Sequence, residues 1–142
     1  MTIPNRISDF ILENEVMTIA TSSQNIPYCA TVFYVFLPDK NLMVFMSDII
    51  TRHMQDALSN KIIAGTIIAK DVNISNVKGF QFTGNFFKRE PDLKEECTSK
   101  YLWAFPMAIL HKSSLWTVEF TFLKLTDNHL GFGKKIIWNH GE

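Results

Sequence analysis

The chain has 142 residues with 14 Lys and Arg against 14 Asp and Glu, so it carries no electrostatic footprint for nucleic acid or an anionic membrane. Hydrophobic residues make up 46% and charged residues 20%, which excludes a disordered chain and supplies enough apolar surface for a real core. No apolar run approaches the roughly 20 residues of a membrane-spanning helix, no signal-peptide order is present, and Cys29 and Cys97 have neither disulfide-framework nor zinc-site spacing. The expectation is one cytoplasmic domain over residues 1–142.

In chain order, residues 4–14 predict a short helix with Ile7, Phe10 and Ile11 on one face. Val16 to Ser23 predicts a strand, and Gln24-Asn25-Ile26-Pro27 a turn. Tyr28 to Leu37 follows as a strand ended by Pro38-Asp39-Lys40-Asn41, and Leu42 to Met46 is the next. A helix over 51–59 is capped by the Thr51 hydroxyl and stopped by Asn60 in a left-handed conformation. Lys61 to Ala69 and Val77 to Arg89 are strands; Glu90-Pro91-Asp92 opens a helix with Leu93, Cys97 and Tyr101 down one side, broken at Phe105-Pro106. Leu115 to Thr126 is a strand, Asp127-Asn128 a turn, and Phe132 to Trp138 a last short strand.

Two strands are apolar on both faces. Tyr28, Ala30, Val32, Tyr34 and Phe36 alternate with Cys29, Thr31, Phe33, Val35 and Leu37, and Ile62–Ala69 behaves in the same way. Doubly apolar strands need cover on both sides, yet the helices are too few to cover a parallel sheet. A closed antiparallel barrel uses one face for its interior; the other then needs a helix or a second copy of the chain. A barrel that forms a homodimer is expected.

The richest local chemistry lies in Phe45-Met46-Ser47-Asp48-Ile49-Ile50-Thr51-Arg52-His53. A strand ends in a polar turn that opens a helix, whose first amides attract anions. Arg52 adds a planar cationic fork, and Ser47 and Thr51 add hydroxyls. The same residues also read as a capped surface helix with solvated charges, and His53 equally as phosphate donor or surface histidine. Gln81, between Phe80 and Phe82, shares its face with Gly79 and Thr83; its amide either bonds backbone or reads a ligand's polar edge. Gly131-Phe132-Gly133 reads as a turn, since no long helix follows it. Trp103, Trp116 and Trp138 read as core or interface residues, one of which could stack on a planar ligand ring. His111, His129 and His140 have no metal-ligand spacing and read as surface, and Cys29 as a small apolar strand residue.

Phe-Met-Ser…Thr-Arg-His (45–53) and Gly-Phe-Gln-Phe-Thr-Gly (79–84) resemble the pyridoxamine 5′-phosphate oxidase-like, FMN-binding split-barrel proteins. With Ile-Ala-Gly-Thr-Ile (63–67), Phe-Pro-x-Ala (105–108), Leu-Trp-x-Val-Glu (115–119) and the segment 124–138, the chain is similar to a YhbP-like bacterial subfamily of that fold. The resemblance implies a mainly β protein, a six-stranded antiparallel split β-barrel with short helices. It implies FMN as cofactor and flavin-dependent redox chemistry on a small molecule. Ser47 and Arg52 then match the phosphate-holding pair, with Thr51 beside them and His53 where the oxidases carry lysine. Gln81 matches a flavin-contacting glutamine, and Lys134 or Lys135 a basic residue at the cofactor. Ala30, Thr31 and Met46 complete the implied cofactor set. The second strand carries Ala30, Thr31, Val35 and Phe36 where the oxidases carry Arg and Lys, so pyridoxamine phosphate oxidation itself is not expected. Two alternatives stay open: a haem-binding or haem-degrading split barrel, which needs an axial histidine, and a cofactor-free dimeric binding protein.

Overall fold

A computed structural model describes residues 2–75, 77–87, 93–111, 113–128 and 134–141. The elements in order are α1 (Asn5–Glu13), β1 (Val16–Ser23), β2 (Ile26–Leu37), β3 (Leu42–Ser47), α2 (Arg52–Ser59), β4 (Ile62–Ile68), β5 (Lys78–Phe87), α3 (Lys94–Ala104), β6 (Ser114–Asp127) and β7 (Lys135–Asn139). Short 3-10 turns occupy Pro38–Lys40 and Pro106–Leu110. The predicted starts of the third helix at Glu90-Pro91-Asp92 and of the last strand at Phe132, the Gly131-Phe132-Gly133 turn and His129 lie outside the described residues.

All strand pairs are antiparallel, in the order β3-β2-β1-β4-β5-β6-β7, and β3 pairs back onto β6. The sheet therefore has seven strands, where six were expected. The long β6 reconciles the two. Its first half, Ser114 to Glu119, closes the ring on β3, while Phe122 to Thr126 carries β7 along the same edge. The barrel is a ring of β3, β2, β1, β4, β5 and β6, and β7 extends it at one end.

The β1–β2 turn is tighter than predicted. Gln24 and Asn25 both have positive φ, 53° and 63°, the two-residue geometry that suits a twisted hairpin, and β2 already begins at Ile26. The interior is aromatic: Phe82 and Phe120 meet edge-on at 5.0 Å, Phe80 stacks on Phe10 of α1 at 5.6 Å, and all four are buried. Gly65 is required here, because a Cβ would run into the Phe82 ring. Helix α1 covers one mouth with Ile7, Phe10 and Ile11. It is held by Tyr34, whose hydroxyl donates to the Ile11 carbonyl at 2.6 Å. Helix α2 seats Met54 and Ala57 in the same core and is tied to the far end of β1 by Thr21–Asp56 and Asn60–Ser22 hydrogen bonds.

A second, smaller core lies outside the barrel. Cys97 and Tyr101 of α3 pack against Leu37, Leu42, Val44 and Leu115, with Leu93 alongside. This is the helix cover that the doubly apolar β2 required, but it reaches only the C-terminal part of that strand. Phe33 remains 53% exposed, and on β4 Ile62 and Ile68 are 68% and 69% exposed.

Candidate functional site: a cavity at the end of β3

Ser47 closes β3, and its backbone is pinned from β6: the indole Nε1–H of Trp116 donates to the Ser47 carbonyl at 2.9 Å. One turn later α2 returns the chain, so that His53 Nε2 lies 2.6 Å from Ser47 Oγ and 3.3 Å from Thr51 Oγ1. Thr51 stands at the N-cap position of α2 but makes no side-chain cap bond; its hydroxyl donates instead to the Asp48 carbonyl at 2.8 Å. The expected hydroxyl cap is corrected accordingly: the Asp48 turn, closed by the Ile50 amide on Asp48 Oδ1, holds the helix start. Asn60 ends the helix in an extended conformation, φ −136°, not a left-handed one, since its side-chain oxygen receives the Ile62 amide and its amide reaches Ser22.

Because the Thr51 hydrogen is committed to Asp48, Thr51 Oγ1 can only accept from His53. An Nε2–H tautomer satisfies both short contacts of the ring and leaves the Ser47 hydrogen free to serve as a donor. Burial pushes the His53 pKa below the usual imidazole range, and the nearby Asp56 carboxylate works against that shift.

Ser47 and His53 form the polar end of a cavity of about 470 Å³. Thr31, Phe33 and Met46 line it from the sheet, and Tyr101, Phe105, Met107, His111 and Ser113 line it from α3 and the segment that follows. Tyr101 fixes one wall: its hydroxyl donates to the Phe33 carbonyl at 3.2 Å, and burial pushes its pKa up. The Phe33 and Phe105 rings meet at 5.3 Å across the floor. Ligand sites of about 300–1,000 Å³ with apolar walls and few polar groups are the usual small-molecule pattern. A small, largely apolar ligand with one polar end matches this lining.

The structure thus brings Thr31, Met46, Ser47 and His53 to one cavity, with Thr51 joined through His53. It places the others elsewhere. Ala30 packs against the barrel core opposite Ile19, the reverse of the cavity side, because Thr31 takes the outer face at that point. The Arg52 guanidinium lies 4.1 Å over the Tyr28 ring and its Nε is 4.0 Å from Asp56, beside the cavity and not among its lining residues. Gln81 is exposed in a separate shallow hollow on the sheet face, and Lys134 is exposed before β7. His111, read from sequence as a surface residue, stands exposed on the cavity's rim. Phe33, Tyr101, Phe105 and Met107 were not assigned to a site in the sequence. The Phe-Pro-x-Ala stretch was a usable signal, since the break at Phe105-Pro106 is what turns these residues toward the sheet.

No family model matches the chain. A UPF0306 protein of Photorhabdus laumondii is 35% identical over 132 residues, covering 93% of this chain and 92% of the relative. The chain belongs to the UPF0306 family. Among solved structures, a haem-binding protein from Mycobacterium smegmatis superposes with a TM-score of 0.79 at 15% identity over 98% of this chain, which spans only 60% of that protein. A pyridoxamine 5′-phosphate oxidase-related, FMN-binding protein from Nostoc punctiforme superposes with a TM-score of 0.68 at 12% identity, covering 97% and 90% of the two chains. At such identities the likeness establishes the fold alone: this UPF0306 protein is a split barrel of the pyridoxamine 5′-phosphate oxidase-like type. Among the described residues, no helix is long and apolar enough to cross a membrane.

Proposed function

We propose that the chain is a cytoplasmic, homodimeric FMN-binding protein that performs flavin-dependent redox chemistry on a small molecule. The observation that carries this reading is the cavity itself, polar at the Ser47–His53 end and apolar and aromatic along Phe33, Met46 and Phe105. Ser47 and His53 would hold the phosphate, with Thr51 accepting from His53 and so orienting its ring, and the walls would receive the isoalloxazine ring. Bound FMN supplies the electron transfer; the chain supplies position, a dry wall and hydrogen bonds. The Arg52 side chain, 54% exposed, belongs to neither the cavity lining nor the core; held by a ring contact and a long ion pair, it is available to turn onto the phosphate.

The dimer reading rests on the uncovered outer sheet. Thr31, Thr18, Thr66 and Gln81 form one row across β2, β1, β4 and β5, with Ile62 and Ile68 exposed on the same side of β4. Three strand spacings separate Thr31 from Gln81, about 14 Å, too far for one chain's Gln81 to meet a ring lying against its own Thr31. The contact assigned to Gln81 is then made across the dimer, each copy offering Gln81 to the other's cavity. Haem is the second reading, favoured by His111 on the cavity rim. The absorption spectrum of purified protein decides between them: bands near 375 and 450 nm for flavin, a Soret band for haem. A protein that takes up neither cofactor on titration would remove both readings.

A further inference from the structure

Resting on the phosphate-site reading above, we propose that His53 makes anion binding at this cavity depend on pH, the protonated ring holding the phosphate and the neutral ring releasing it. The argument starts from geometry. His53 Nε2 is within 2.6 Å of Ser47 Oγ at the polar end of the cavity, so an anion that bonds Ser47 also meets the imidazole. A lysine at this place would stay charged at every physiological pH, whereas an imidazole changes charge within that range.

The surrounding charges are few. Asp56 and Arg52 come from α2 itself, and Asp48 from the turn before it. The cavity lining contributes the titratable groups Tyr101 from α3 and His111 beyond it, and no charged residue from β2 or β3. Burial disfavours the imidazolium in the empty site, and Asp56 offsets that only in part. A phosphate beside the ring reverses the balance, so binding takes up a proton. The extra affinity is complete below the pKa of the empty site and is lost as pH rises through the pKa of the loaded site.

The test is FMN titration by fluorescence quenching between about pH 6 and pH 8.5, with riboflavin in parallel, on the native protein, His53→Gln and His53→Lys. FMN's own phosphate titration is common to all three, so the differences between them isolate residue 53. Native affinity for FMN should fall by about tenfold more than that of His53→Gln over this range, the size of one charge-assisted bond. His53→Lys should bind tightly throughout, and riboflavin should show no such dependence. Calorimetry in buffers of different ionisation enthalpy should find proton uptake in the native protein that His53→Gln lacks. Equal pH slopes and equal proton uptake, with FMN still preferred to riboflavin, would overturn the role of His53 and leave the phosphate site standing. Equal binding of FMN and riboflavin at every pH would remove the phosphate site and this inference with it. Should His53→Gln not fold, NMR titration of the native ring with and without inorganic phosphate serves instead. An upward shift of its pKa supports the proposal, and no shift overturns it.

Discussion

Two stretches of the barrel's outer surface are built from equally apolar strands and end differently. Under α3, Leu37, Val44 and Leu115 are covered and form a second core with Cys97 and Tyr101. Across β1, β4 and β5, among the described residues, the outward Thr66, Ile68 and Gln81 are exposed and Thr18 and Ala64 only half-buried. The candidate cavity lies on the seam, with Thr31 and Phe33 from the open side and Tyr101 and Phe105 from the covered side. A ligand site at such a boundary gains one rigid wall from the helix and an open approach from the sheet. The difference teaches that strand composition states how much cover is needed, while the position of the next helix decides where it falls.

Truncations measure the comparison directly. Phe120→Ala, inside the barrel against Phe36, Phe80 and Phe82, should cost about 3–5 kcal/mol in chemical denaturation and sets the scale of the shared interior. Leu115→Ala, under α3, should cost about 2–5 kcal/mol. Ile68→Ala, at 69% exposure, should stay within about 0.5 kcal/mol if the open face meets only water. In a homodimer that face is covered too; Ile68→Lys should then yield monomers by light scattering, and a native protein already monomeric at low micromolar concentration would break the dimer reading.

On the seam, Arg52→Ala should weaken FMN by about one to two powers of ten, since a charge-assisted hydrogen bond contributes roughly 1.5–3 kcal/mol. Riboflavin should bind native and variant alike, and the unfolding midpoint should hold, because Arg52 is outside both cores. An unchanged FMN affinity would return Arg52 to a surface charge stacked on Tyr28.

A local effect concerns the fastening of α1. Tyr34→Phe removes the bond to the Ile11 carbonyl and should cost about 1–2 kcal/mol. Burial, with Glu15 nearby, raises the Tyr34 pKa far above the ordinary phenol value. The folded state therefore favours the protonated phenol. That contribution is complete below about pH 10, the unfolded value, and is lost as pH rises beyond it. Thermal unfolding of native protein should fall off above that pH more steeply than that of Tyr34→Phe.

Much of this was legible in the chain. The apolar alternation of β1, β2, β4 and β5, the turn residues between them and the Leu93–Cys97–Tyr101 spacing on α3 are local consequences of side-chain period, so they survive translation from sequence to structure. So does the pairing of Ser47 with His53, because a strand end and the first turn of a helix are only six residues apart. What sequence could not settle is set by long-range closure. That β6 would both seal the barrel on β3 and carry β7 depends on its whole length finding two partners along one edge. That Ala30 would face the core and Thr31 the cavity depends on register, which a slip of one residue inverts. And Tyr101 reaches Phe33 across 68 residues of chain, a contact with no local signature, because only the docking of α3 on the outer sheet brings them together.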